Sequence, residues 1–168
     1  MNEELDWLTP YREGLDKYTL EQLQDKPDAE QWSLGQLYNH LIHAALSMQV
    51  RSIEACAAAE EEQPLGKTEA GEGIFQLGDI PPVKIKVPGS PEYTPHNPQS
   101  KEELEKGLAA VEENYRKWSG AIADINPNCK VEHFALGWMN AQEWYSFMPM
   151  HFRHHLRQKR ELEERLGM

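Results

Sequence analysis

Positive charge is scarce in this sequence. Seventeen lysines and arginines stand against 28 aspartates and glutamates, a formal net charge of −11, and no Lys/Arg-rich block occurs. A surface that neutralises phosphates needs clustered cations, so the composition speaks against nucleic-acid partners and against attraction to an anionic membrane. Long hydrophobic runs are missing too, and none approaches the ~20 residues of a transmembrane helix. Cysteine is limited to Cys56 and Cys129. Two scattered thiols predict no disulfide framework and a reducing, cytoplasmic setting. The opening MNEELDWLTP is acidic and has no apolar core, so no secretory signal is expected. There is no internal repeat.

What is present fits a soluble domain. Apolar residues make up 39% and charged residues 27% of 168, enough for one hydrophobic core, and a single domain over 1–168 is expected. Residues 2–24 read as interrupted helix, with Leu5, Leu8, Leu15 and Tyr18 on one face. Pro10 suits a first helical position, and Thr19 with Gln22 makes a capping box. Ser33 and Gln36 form a second box, opening a helix that runs to about Glu62. Its apolar stripe is Leu34, Leu37, Leu41, Ala44, Ala45 and Met48. His40 lies at the edge of that stripe and His43 faces away. A third helix starts at Ser100, with Glu103 completing a capping box and Leu104, Leu108, Val111, Tyr115 and Trp118 along one side. Lys130 to Phe134 reads as extended. Asn140 and Glu143 then cap a fourth helix that continues close to the C-terminus, its KRELEERL tail reading as a solvated end.

Between the second and third helices, residues 63–99 hold most of the eleven prolines. A stretch this long without helical period is expected to serve function, and VKIKV at 83–87 suits one short strand. The pattern predicts an all-α four-helix bundle whose crossover contains at most that strand.

Chemistry concentrates in the fourth helix, where His151, His154 and His155 fall within five residues. His151 and His155 are about 40° apart on a helical wheel and lie in the middle of the apolar stripe. His154 falls at its margin. Two stacked imidazoles in a core stripe need their nitrogens satisfied, by a metal or by a hydrogen-bonded network. His43 and His96 read as surface residues, and His133 as a local structural one. Pro149 removes a helical hydrogen bond two residues before His151. It either bends the helix around a bulky core or re-aims that histidine.

Trp32-Ser33-Leu34-Gly35-Gln36 with His40-Leu41, then Gly137, Glu143-Trp144, and His151-x-x-His154-His155-x-x-Gln158, resemble the DinB-like (YfiT-like) superfamily in order and spacing across most of the chain. The resemblance implies up-down-down-up topology and a three-histidine metal site on helices two and four, here His40, His151 and His155. The implied cofactor is a divalent ion, Zn or Ni. The family includes transferases that use low-molecular-weight bacterial thiols, and thiol-dependent isomerases. The expected partner is therefore a small electrophilic substrate with such a thiol, or, less directly, a hydrolysable one. His154, Arg153 and Gln158 flank the ligands as substrate or supporting contacts. The second reading is a non-catalytic metal-binding module in stress response or interaction. A homodimer through Trp7, Trp118 and the apolar faces of helices one and three is compatible with either.

Overall fold

The computed structural model describes residues 5–80 and 94–168. Helix 1 of the bundle is α1 (Thr9–Lys17), followed by the short α2 (Leu20–Gln24). Helix 2 is composite: α3 (Leu34–His43), a π-helical segment (Ala44–Gln49) and α4 (Val50–Ala58). Helix 3 is α6 (Lys101–Ser119). Helix 4 consists of α7 (Ala141–His154) and α8 (Leu156–Arg165). The remaining helix, α5 (Glu69–Leu77), lies in the crossover between helices 2 and 3.

Side-chain pairings fix the direction of each helix. Tyr11 meets Phe152 and Tyr18 meets Glu163, so helices 1 and 4 run parallel. Ile42 faces Gly107, and Val50 shares a groove with Asn114, so helices 2 and 3 also run parallel. Trp7 packs on Tyr115 while Arg12 pairs with Glu112, which makes helices 1 and 3 antiparallel. The bundle is therefore up-down-down-up, and the parallel second and third helices require the long crossover.

The capping box expected at Ser100 forms only in half, since Ser100 accepts from Glu103 N–H but Glu103 Oε1 accepts from Gln99 N–H. The other three expected boxes form, at Thr19/Gln22, Ser33/Gln36 and Asn140/Glu143. Each satisfies two backbone N–H groups that a helix start leaves without partners. Leu5, Leu8, Leu15 and Tyr18 are buried as their spacing predicts, and so are Leu34, Leu37, Leu41, Ala44 and Ala45. Met48 is only partly buried, and Gln49 takes its place inside. The π segment is the reason: the wider turn shifts the inward positions to Gln49, Val50, Ile53 and Cys56.

Several expectations change. The crossover carries α5 as well as extended chain, and the strand expected at 83–87 lies outside the described residues. The Thr68 hydroxyl caps α5 by accepting from Gly71 N–H, and Gly78 at φ 76° ends it. Helix 2 stops at Ala58 rather than near Glu62. The extended stretch is half of an antiparallel hairpin, β1 (Lys130–His133) with β2 (Gly137–Asn140), in the register Lys130↔Asn140 to His133↔Gly137. Helix 4 runs unbroken through Pro149, and its interruption falls at His155 (φ −87°, ψ 0°). Its tail is not wholly solvated. Lys159 is buried and pairs with Glu163, which also accepts from the Tyr18 hydroxyl at 2.6 Å. Trp7 is buried against Tyr115 and Phe152, which removes it from any dimer face. Among the described residues no helix is long and apolar enough to cross a membrane.

Both ends of the described crossover are tied down. Trp138 N–H donates to Gly66 O and Thr68 N–H to Leu136 O, which adds a short strand-like piece beside the hairpin. The Lys67 ammonium pairs with Glu143, inside the Asn140 capping box. At the far end, Gln24, Gln36 and Asn39 donate to the carbonyls of Pro98, Pro95 and His96. Segment 95–98 is thus fastened to the start of helix 2, close to His40.

Candidate metal centre

Helix 2 and helix 4 run antiparallel and each presents histidine to the other. His40 comes from the last turn of α3, His151 from the last turn of α7, and His155 from the break between α7 and α8. The Nε2 atoms of His40 and His151 are 3.3 Å apart. Ring centroids are separated by 5.0 Å for His40 to His151, 5.0 Å for His40 to His155, and 4.8 Å for His151 to His155. One nitrogen from each ring lies within 4.8 Å of the other two, close enough for the three to hold one metal ion.

The tautomers suit that use. His155 Nδ1 lies 3.0 Å from Gln158 Oε1, which accepts its proton and leaves the lone pair on Nε2. The amide comes from three residues further along, one helical turn away. Among the described residues, His151 Nδ1 is buried with no hydrogen-bond partner. A buried, unpartnered ring nitrogen is costly, and no hydrogen-bonded network of those residues completes this ring.

Burial disfavours the charged form of all three. It pushes His40 down to about 3 and His155 to about 4, and places His151 well below the ordinary histidine value. Repulsion among the imidazoles adds to desolvation: His40 feels His155, His43 and His154. At neutral pH the three rings are uncharged, the state a metal requires. The residues therefore fit a divalent cation, with three nitrogens that leave coordination positions open.

Aromatic rings frame the cluster. Trp32 lies 4.9 Å from His40, and Phe147 stacks on His151 at 6.0 Å with an interplanar angle of 24°. His154 touches His155 edge-on at 5.1 Å. Of the flanking candidates, Gln158 bonds a cluster histidine and His154 packs against one, while Arg153 is exposed. His43 and His96 are exposed, as their positions predict. His133 is buried, and its Nδ1 accepts the N–H groups of Ala135 and Leu136 at 3.0 and 3.1 Å, closing the hairpin. Two contributors escaped the sequence reading. Phe147 stands one turn before His151 and was visible only as an apolar position. Tyr11 is 141 residues from the backbone it bonds, and no local pattern marks it.

Residues 10–158 match the sequence model of the DinB superfamily. No curated protein and no solved structure gives a significant match.

Proposed function

This chain belongs to the DinB superfamily, and on that premise we propose that it is a metal-dependent transferase joining a low-molecular-weight thiol to a small electrophile. The observation that carries the reading is the convergence of three uncharged imidazoles from two helices on one point. His40, His151 and His155 would hold the ion, Zn or Ni. Bound there, the ion supplies positive charge that lowers the pKa of a thiol presented to it. The chain's own residues do the rest. Gln158 holds His155 in the Nδ1–H tautomer, which leaves the Nε2 lone pair free for an ion. Trp32 and Phe147 pack on rings of the cluster and offer apolar surface to a small organic substrate. His154, partly buried beside His155, stands where it can exchange a proton with a bound ligand.

A second reading is a metal-binding module without catalysis. A groove of about 600 Å³ lies between helices 2 and 3, lined by Leu46, Val50, Arg51, Glu54, Ala55 and Asn114, and none of the three histidines lines it. One experiment separates the readings. The protein, loaded with Zn or Ni, is incubated with a panel of thiols and a generic electrophile, and conjugates are followed by mass spectrometry. Conjugate that disappears in His40→Ala and His155→Ala supports the transferase. Stoichiometric metal without conjugate supports the module, and a chain that takes up no metal refutes both.

A further inference from the structure

The two ligand-bearing helices pack directly on each other, and helix 1 adds a second link between them, at Tyr11. The Tyr11 hydroxyl donates to the Phe152 carbonyl at 2.5 Å, a buried bond to the backbone between His151 and His155. The Tyr11 carbonyl accepts the Tyr38 hydroxyl at 2.6 Å, two residues before His40. The Tyr11 ring also packs edge-on against both sides, 5.4 Å from Tyr38 and 5.3 Å from Phe152. All three side chains have 0% exposure. A continuous path of contacts thus runs from His40 through Tyr38, Tyr11 and Phe152 to His151.

The path passes through a weak part of helix 4. Helical geometry is interrupted at His155 itself, so one histidine lies within α7 and the other at the break. A rigid hydrogen bond to the Phe152 carbonyl fixes the depth and rotation of the turn just before it. Phenylalanine would fill the same space, so packing alone does not call for a hydroxyl here. The main chain is shaped to admit the arrangement. A Cβ on Gly14 would stand 2.8 Å from both the Tyr38 and Tyr18 hydroxyl oxygens, so glycine leaves Tyr38 the room to reach Tyr11.

We propose that Tyr11 is a positioning residue of the histidine cluster, setting the distance and orientation of His40 relative to His151 and His155. Its functional weight rests on the metal-centre reading above. The test compares wild type with Tyr11→Phe, which keeps the ring and loses the hydroxyl. The control is Tyr145→Phe, which loses a hydroxyl-to-carbonyl bond to Tyr115 elsewhere on helix 4. Cobalt(II) is titrated in as a spectroscopic probe, and imidazole NMR signals are recorded on the metal-free chain. Tyr11→Phe is expected to weaken cobalt binding by at least about tenfold and to move the visible absorption bands. It also shifts the ring signals of His40, His151 and His155 without metal, while Tyr145→Phe leaves all three readouts near wild type. A folded Tyr11→Phe with wild-type affinity, spectrum and ring signals overturns the proposal. Should that variant not fold, Tyr38→Phe reads the same path from the other end, and wild-type behaviour there overturns it equally. If wild-type protein takes up no cobalt, the metal-centre reading fails. The metal-free ring signals then still decide whether Tyr11 positions the cluster.

Discussion

His40 Nε2 lies 3.3 Å from His151 Nε2, although 111 positions separate the two residues in the chain. At that distance both nitrogens cannot carry protons directed at each other. Either one ring donates to the other, or both lone pairs share a cation.

Metal uptake follows from that geometry. Untagged protein is expected to bind one equivalent of Zn or Ni, and removing any one histidine of the three to abolish stoichiometric binding. Ligand present at a hundred times its Kd stabilises the fold by about 2.7 kcal/mol, so a chelator lowers Tm measurably. Elemental analysis with thermal melts of wild type, His40→Ala and His155→Ala checks both statements. A chelator-insensitive Tm with no metal present contradicts them.

Acid stability has a definite sign. His40 and His155 titrate at about 3 and about 4 in the fold, against 6.5 when unfolded. Across that window the unfolded chain binds more protons, so stability rises with pH, and above 6.5 these groups contribute no slope. The metal-free protein is expected to lose stability steadily from pH 6.5 to about 4, and more gently on to about 3 as His40 alone remains to be protonated. In His40→Gln the slope is shallower. Urea melts at several pH values measure it, and an unchanged slope in the variant would contradict the assignment.

Gly137 sits at φ 84°, and a Cβ there would meet Thr68 N at 2.6 Å and Gly66 O at 2.9 Å. Both the conformation and the close backbone approach require glycine. Gly137→Ala is expected to destabilise by about 1–3 kcal/mol and to release the crossover from the hairpin. Proteolysis between residues 60 and 80 reads the release, and an uncut, equally stable variant would show that the strand-like pairing is not needed.

Glu163 binds Lys159 at 3.3 Å and Tyr18 at 2.6 Å. Lysine side-chain exposure is 8%, while the carboxylate is 22% exposed and partly screened. Glu163→Leu alone leaves a buried ammonium without its partner and is expected to cost about 2–3 kcal/mol, below the range for fully buried pairs. The double change with Lys159→Met is expected to recover most of that loss. Denaturant melts of the four-member cycle decide it, and a double variant as weak as the single one would contradict the pairing.

Asn140 caps the helix that carries two of the three histidines, accepting from Glu143 N–H at 2.9 Å. Asn140→Ala is expected to cost about 1 kcal/mol. Its effect on metal affinity should be small, because the cap lies three turns from His151. A large affinity loss would mean that the helix start moves the site.

Much of this was legible from the chain alone. Capping boxes are local, so Ser33/Gln36 and Asn140/Glu143 declare their helices within four residues. Helical periodicity puts His151 and His155 in the middle of their buried stripe and His40 at the edge of its own, while the three as one site come from the family resemblance. Non-local features resisted. Lys159 and Glu163 look like any solvated pair at i,i+4 until Tyr18 arrives from helix 1 to bond the carboxylate. The hairpin depends on Gly137 meeting a crossover segment some seventy residues upstream. Pro149 drew attention as the place for a kink, yet the helix breaks at His155, where no residue type signals it.

The π segment Ala44–Gln49 gives helix 2 two independent phases. Above it, the register is tuned so that His40 meets helix 4; below it, Val50, Ile53 and Cys56 are tuned to the lower core. A continuous α-helix would have to satisfy both with a single angle. Regular α winding of the same residues would turn one half by about 100° against the other, whereas losing one residue together with the wide turn would keep both phases. The wide turn therefore absorbs a surplus residue without setting the histidine cluster against the lower packing.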